Sequence, residues 1–112
     1  MRLVIALLLV SVVLAAGCSA PLEPSIYVQK KSVSDIAASA CISACRSALS
    51  SGQDLSSGPC LSNEIAAGWV CDVAHNPRQD IDNQRQNQCS AFPGSASHFI
   101  EVDPDCNLIR TV

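Results

Sequence analysis

A chain of 112 residues with a formal net charge of −3 has room for one small domain. Aromatic residues make up only 4% of it, so Tyr27, Trp69, Phe92 and Phe99 are its few large anchors, and covalent cross-links are expected to supply what burial cannot. Beyond Lys31 the cations are Arg46, Arg78, Arg85 and Arg110, scattered singly; with no basic patch, the electrostatic footprint of nucleic-acid binding is missing, and nucleic acid is excluded as a partner.

The chain opens "MRLVIALLLVSVVLAAGC". One arginine precedes an apolar run from Leu3 to Ala16, shorter than the roughly 20 residues that span a bilayer, and small residues follow it. This is the pattern of a secretory signal rather than of a core helix, because every face is apolar and so small a domain could not wrap it. "LAAGC" at residues 14–18 resembles the lipobox of prokaryotic lipoproteins. In that family the signal is cut just before the cysteine, whose thiol carries a glyceride-type lipid. Ala15 stands where the family usually has leucine, with Leu14 one step further out, and Ala15-x-Gly17 also fits ordinary signal-peptidase cleavage. The resemblance implies residues 1–17 as a signal peptide and Cys18 as the lipidated first residue of the exported chain, with the membrane as partner. Acids outnumber cations in that chain, so such an anchor rests on buried methylenes, not on charge.

Residues 18–32 read as a tether, with Pro21 and Pro24 favouring extended backbone; the alternative is a first edge strand at Ser25–Gln29. Residues 33–112 form the cysteine-rich domain. Residues 33–51 are the one clear helix, with Ser32 and Asp35 as a capping pair and Gly52 as the stop. Val33, Ala37, Ala40, Cys41, Ala44, Cys45, Ala48 and Leu49 lie on one stripe, while Ser34, Ser39, Ser43, Arg46, Ser47 and Ser50 take the other side. The stripe is built of small residues, so covalent linkage should matter more than buried area. The string LSSG recurs at residues 49 and 55 and reads as two consecutive turns, since solenoid repeats are longer and more numerous. "GWVCDVA", residues 68–74, alternates as a strand with Trp69, Cys71 and Val73 on one face. His75–Ser97 is a long polar stretch rich in Asn and Gln. Lengths of this kind are uncommon in compact domains and often functional, and Cys89 should pin it. His98–Val102 and Asn107–Val112 read as a terminal hairpin turned by Asp103-Pro104.

Setting Cys18 aside leaves Cys41, Cys45, Cys60, Cys71, Cys89 and Cys106. Six is even, and an exported compartment permits disulfides. Cys41 and Cys45 are one helical turn apart and would reach two partners on a facing sheet. The arrangement resembles the logic of cysteine-stabilised αβ folds, although that family pairs its helix with a Cys-x-Cys on a strand and no such triplet exists here. Cys71 and Cys106, on or beside strands, are then the expected partners of the helix pair, and Cys60 with Cys89 ties the loops. The spacing itself does not select among the fifteen possible pairings. Redox catalysis would want Cys-x-x-Cys, and the helix pair is one residue too long; structural zinc would want a second close pair. A cysteine nucleophile acting with His75 or His98 would need an unpaired thiol.

The candidate binding residues are Asp72, His75, Arg78, Asp80, Asp82 and His98. Asp72 and His75, with Asp80 and Asp82 nearby, have the residue types of a hydrolytic or metal site; the bland alternative is solvated loop polarity. "DIDNQRQNQCSA" lacks the Gly and Glu of an EF-hand. Glu101, Asp103 and Asp105 alternate as on one strand face, but Pro104 interrupts them. No G-x-S-x-G, H-E-x-x-H or phosphate-binding loop occurs. "WVCDVAHNPRQ", "DNQRQNQC" and "HFIEVDPDCNLIR" resemble a group of small cysteine-rich exported proteins, mainly archaeal, across most of residues 41–112. That group carries no known activity, so the resemblance transfers no catalytic residue; in an archaeal host the lipid on Cys18 would be of archaeal type. The expectation is a disulfide-stapled α+β domain, one helix against a short antiparallel sheet. It would act as an exported, lipid-anchored envelope module that binds a protein or envelope component through His75–Ser97, without catalysis, cofactor or metal. The alternatives are a small extracytoplasmic hydrolase or metal-binding protein using residues 72–98, and a secreted inhibitor or toxin-like domain, which a tether disfavours.

Overall fold

In the computed structural model, which describes residues 16–20 and 30–112, Ser32 starts the helix by a reciprocal cap. Its hydroxyl accepts the Asp35 amide at 3.2 Å, and its own amide donates to the Asp35 carboxylate at 3.3 Å, which satisfies two N–H groups that a helix start leaves without partners. Helix α1 runs Val33–Ser50. It ends where Gly52, at φ +83°, lets its amide reach the Leu49 carbonyl at 3.0 Å and the Gln53 amide reach that of Ala48 at 2.9 Å, a left-handed stop that few side chains tolerate. The signal segment up to residue 15 and the tether from 21 to 29, with its alternative strand, lie outside the described residues. Among the described residues no helix is long and apolar enough to cross a membrane.

Four strands follow: β1 (Cys60–Ala66), β2 (Trp69–Val73), β3 (His98–Val102) and β4 (Leu108–Thr111), in sheet order β1-β2-β3-β4. The sheet is mixed, not antiparallel throughout. β1 with β2 and β3 with β4 are antiparallel, but β2 and β3 run parallel in the register Trp69↔His98 to Val73↔Val102. The cause is the long polar stretch. A parallel pair needs a connection that returns the chain to the sheet's starting edge, and the segment between Val73 and His98 is long enough to do so without an α-helix. It contains only two short 3₁₀ turns, at Asp80–Asn83 and Arg85–Asn87. β1 has no sequence signature. Its centre is the polar Ser62-Asn63-Glu64, and its pairing is irregular at two points, as suits an edge strand that must not recruit another chain.

The parallel pair is covered on both sides, as such pairs require. On one face Trp69, Cys71, Val73, Ile100 and Val102 pack against Ala37, Cys41 and Cys45 of α1, with Leu55 and Cys106 closing the cluster. On the other, Val70 and Phe99 are roofed by Cys89, Ala91, Phe92 and Ala96 of the crossover. The helix stripe is shorter than its sequence pattern: Val33 is 60% exposed and Leu49 43%. The 18 residues of α1 extend about 27 Å, while the five residues of β2 extend about 16 Å, so the helix overhangs the sheet.

Three disulfides join these layers. Cys41–Cys71 ties α1 to β2, Cys45–Cys106 ties α1 to the β3–β4 turn, and Cys60–Cys89 ties β1 to the crossover. Such a set belongs to an oxidising, extracytoplasmic setting. The turn that carries Cys106 is fixed by Asp103, whose carboxylate accepts the Asp105 amide at 2.9 Å and the Asn107 amide at 2.8 Å. Cys45–Cys106 spans 61 residues and so removes the most freedom from the unfolded chain. Replacing both residues by alanine is expected to lower the unfolding free energy by about 3–4 kcal/mol in non-reducing urea titrations; a loss under about 1 kcal/mol would mean that packing alone holds the helix.

Candidate functional site

The β2–β3 register places Asp72 beside Glu101, and strand alternation turns both toward the crossover, away from α1. Glu101 is only 5% exposed and is held between two guanidiniums. Arg78 donates from its terminal nitrogen to Oε2 at 3.1 Å, and the Nε of Arg110 lies 3.4 Å from Oε1. Arg110 is the register partner of Glu101 on β4, and its guanidinium carbon also sits 4.9 Å from the centre of the Phe99 ring. Phe99 meets Phe92 edge-on, centroids 5.0 Å apart. Between these groups lies a pocket of about 220 Å³ whose lining also includes Val70, Pro93 and Gln88. Burial, reinforced by the neighbouring Glu101 and opposed by Arg78, pushes Asp72 up to about 7. A carboxyl group in that state offers a proton donor as well as an acceptor at neutral pH.

A second pair forms at the base of the crossover. His75 Nδ1 lies 2.9 Å from Oδ1 of Asp82, which is 2% exposed. Asp82 also accepts the amides of His75 at 3.0 Å and Gln79 at 2.8 Å. Burial by itself would raise its pKa, but these bonds prevail and hold it below the ordinary carboxylate value. The ionised carboxylate can only accept, so Nδ1 of His75 carries the proton and, in the neutral ring, Nε2 keeps the lone pair. His75 lines an open cleft of about 640 Å³ with Asp54, Leu55, Arg78 and Asp103. Arg78 links the two sites. Besides Glu101 it donates to the Asn83 side chain at 2.8 Å and to the Asp82 carbonyl at 3.3 Å.

The structure therefore regroups the candidates. Asp72 does not act with His75: the carboxylate on that imidazole is Asp82, and Asp72 faces the other pocket, because strand alternation sends it to the crossover side of β2. Arg78 and Asp82 are drawn in as described. Asp80 stays exposed at the start of its 3₁₀ turn. His98 stands on the helix side at the far end of the strands, stacked on Trp69 with centroids 4.4 Å apart, three residues or about 10 Å along the sheet from Glu101. Glu101, Arg110, Phe92 and Phe99 complete the pocket without having been singled out for it. The alternation of "HFIEV" does put Phe99 and Glu101 on one face, but nothing in the sequence says that this face lies beside Asp72. Cys60, Asp72 and Cys89 cluster as metal ligands do, yet the two sulfurs are bonded to each other and neither is a thiolate able to ligate. No family model, no curated protein and no solved structure matches the chain.

Between pH 4 and 7 the folded chain keeps on Asp72 a proton that the unfolded chain has lost, so folding loses stability at this residue as pH rises, and the loss is complete above 7. Asp72→Asn cannot ionise; its melting temperature relative to the unmodified chain is expected to be higher at pH 8 than at pH 5, and an offset that does not vary with pH would contradict the burial of this charge. Gly58 tests the second pair. At φ +67° a Cβ there would overlap the Asp82 carboxylate and lie 3.0 Å from the Val73 carbonyl oxygen. Gly58→Ala is expected to cost more than about 1 kcal/mol in thermal unfolding.

Proposed function

We propose that this chain is an exported protein held at the membrane by a lipid on Cys18, and that its stapled domain is a binding module whose ligand enters beneath the 75–97 crossover. The observation that carries the binding reading is the pocket itself. A carboxyl group raised by burial, a buried carboxylate between two arginines and a pair of phenylalanines converge on one small cavity, the combination of apolar walls and few polar groups that small-ligand sites use. The crossover roofs the cavity and is pinned by Cys60–Cys89, so the site comes ready-shaped and little ordering free energy is spent on binding.

The anchor reading is supported by the lipobox-like "LAAGC" and by the division of the cysteines. Six are paired, and Cys18 is free and exposed. A single acyl chain binds membranes only marginally, so a stable anchor requires a lipid with two or more chains. Replacing Cys18 by serine is expected to move the protein from the detergent phase to the aqueous phase on partitioning, with the intact mass falling by that of the lipid. Equal partitioning of both forms would end the anchor reading.

The His75–Asp82 pair favours a second reading, a small hydrolase in which Asp82 orients the imidazole and Nε2 takes a proton from water in the open cleft. Profiling on ester, amide and phosphoester panels decides it. Turnover that is lost in His75→Gln, with the melting temperature retained, supports the hydrolase; no turnover by the unmodified chain removes it.

A further inference from the structure

We propose that the Cys60–Cys89 disulfide is the closed form of a metal site: once a dithiol reductant opens it, the two sulfurs and the Asp72 carboxylate hold a zinc ion between β1, β2 and the crossover. The inference goes beyond the binding reading and does not depend on it.

The three ligands are held in place by contacts other than the bond that opens. Cys60 and Asp72 are register partners on β1 and β2. Cys89 comes from the crossover, which stays tied to β1 where Asn63 Oδ1 accepts the Ala91 amide at 2.9 Å, and to β3 where Phe92 meets Phe99. One ligand atom from each residue lies within 4.8 Å of the other two, and Oδ1 of Asp72 is 4.0 Å from the Cys89 sulfur. A tetrahedral zinc ion, about 2.3 Å from sulfur and about 2.1 Å from oxygen, keeps such atoms about 3.6–3.8 Å apart. The carboxylate already stands close to a ligating position, and the sulfurs reach theirs by separating once their bond is broken. Cys60 is only half-buried, which leaves the fourth position to water. Two thiolates with one carboxylate suit zinc better than magnesium or calcium. Charge agrees with this. Two thiolates and a carboxylate would crowd three negative charges together, and the ion reduces them to one.

Burial decides which disulfide opens. Cys41, Cys45 and Cys71 are fully buried and Cys106 nearly so, all in the core cluster beneath α1. Cys60 lies half-buried on the edge strand and is the most exposed of the six. Thiol–disulfide exchange requires access to a sulfur, so the incoming thiolate attacks the sulfur of Cys60 and Cys89 leaves as a thiolate. The second thiol of the dithiol then closes on the mixed disulfide and releases Cys60. Two electrons pass to the Cys60–Cys89 bond, the dithiol becomes its own disulfide, and its two protons end on Cys60 and Cys89. Zinc displaces these protons, and any proton on Asp72, to solvent. Cys41–Cys71 and Cys45–Cys106 keep α1 on the sheet throughout, so the opened pair remains on a folded frame.

The test treats the full-length, detergent-solubilised, oxidised protein with a limiting amount of dithiol under native conditions and maps the new thiols by alkylation and peptide mass analysis. Cys60 and Cys89 are expected to be modified, with the other two disulfides intact. Cobalt(II), a spectroscopic stand-in for zinc, should then give sulfur-to-metal charge-transfer absorption and the intense visible bands of a tetrahedral ion; the oxidised protein should give neither. One equivalent of zinc should bleach those bands and raise the melting temperature of the reduced form alone. Asp72→Asn should weaken zinc binding by the reduced form at least tenfold. The double variant Cys60→Ser, Cys89→Ser, shown to be folded by its melting transition, should give no bands. Opening of either buried disulfide first, or loss of the folded signal on opening Cys60–Cys89 alone, would overturn the proposal. Selective opening without cobalt bands would overturn it too, as would bands that persist in the double variant, which would belong to Cys18. Zinc affinity unchanged in Asp72→Asn would remove the carboxylate from the ligand set and with it the three-ligand site.

Discussion

The bond between Cys41 and Cys71 is what the other contacts presuppose. It lies fully buried where α1 crosses β2, and the surface it joins is poor in apolar area, for the buried helix residues are Ala37, Cys41 and Cys45. Burying three such small side chains yields much less than a helix face of leucines would. Their smallness has a second effect: it brings the helix backbone close enough to the sheet for a sulfur bridge, whose Cα atoms stand 5.3 Å apart. The residues that make the interface weak as a hydrophobic contact are the ones that make it possible as a covalent one. Cys45–Cys106 repeats the logic one helical turn later and fixes the hairpin end of the sheet to the same helix.

The second face of the sheet is covered without a second helix. The crossover supplies only Cys89, Ala91, Phe92 and Ala96 as apolar cover, and Cys60–Cys89 holds it there. A helix in that place would pack densely across the strands. An irregular segment instead leaves a gap over Asp72 and Glu101, and its turns bring Arg78 to one side of it. The cavity is thus a consequence of making a parallel connection from a chain too polar to form a buried helix.

Two aspartates within this small region are driven in opposite directions. Asp82 is buried and Asp72 half-buried, and for both, burial works against ionisation. Asp82 is met by three N–H donors, two from the backbone and one from His75; Asp72 is met by the charge of Glu101. Desolvation is common to the pair, and the neighbours decide the outcome. Arg78 lies between them, donating to Glu101 beside Asp72 and to the backbone carbonyl of Asp82.

Local rules carried the reading of the sequence as far as they reach. Ser32, Asp35 and Gly52 mark the ends of α1 because capping involves groups only three or four residues apart. Trp69–Val73 and the pair of strands around Asp103-Pro104 are legible because alternation and turn chemistry are short-range. The count of six cysteines beside Cys18 announces a stapled domain on composition alone. Three things depended on contacts remote in sequence. β1 stayed hidden because an edge strand with a polar centre has no pattern of its own. The exposure of Val33 and Leu49 follows from the length of the sheet, which the helix does not encode. The parallel partnership of β2 with β3 is set by the path of the crossover, and it alone brings Asp72 to Glu101 and thereby to Arg78 and Arg110. By itself the sequence determined the helix, the alternating strands and the need for cross-links, since each is a matter of near neighbours. Only the tertiary structure decided which carboxylate meets which base, because strand register brings together residues that no spacing along the chain relates.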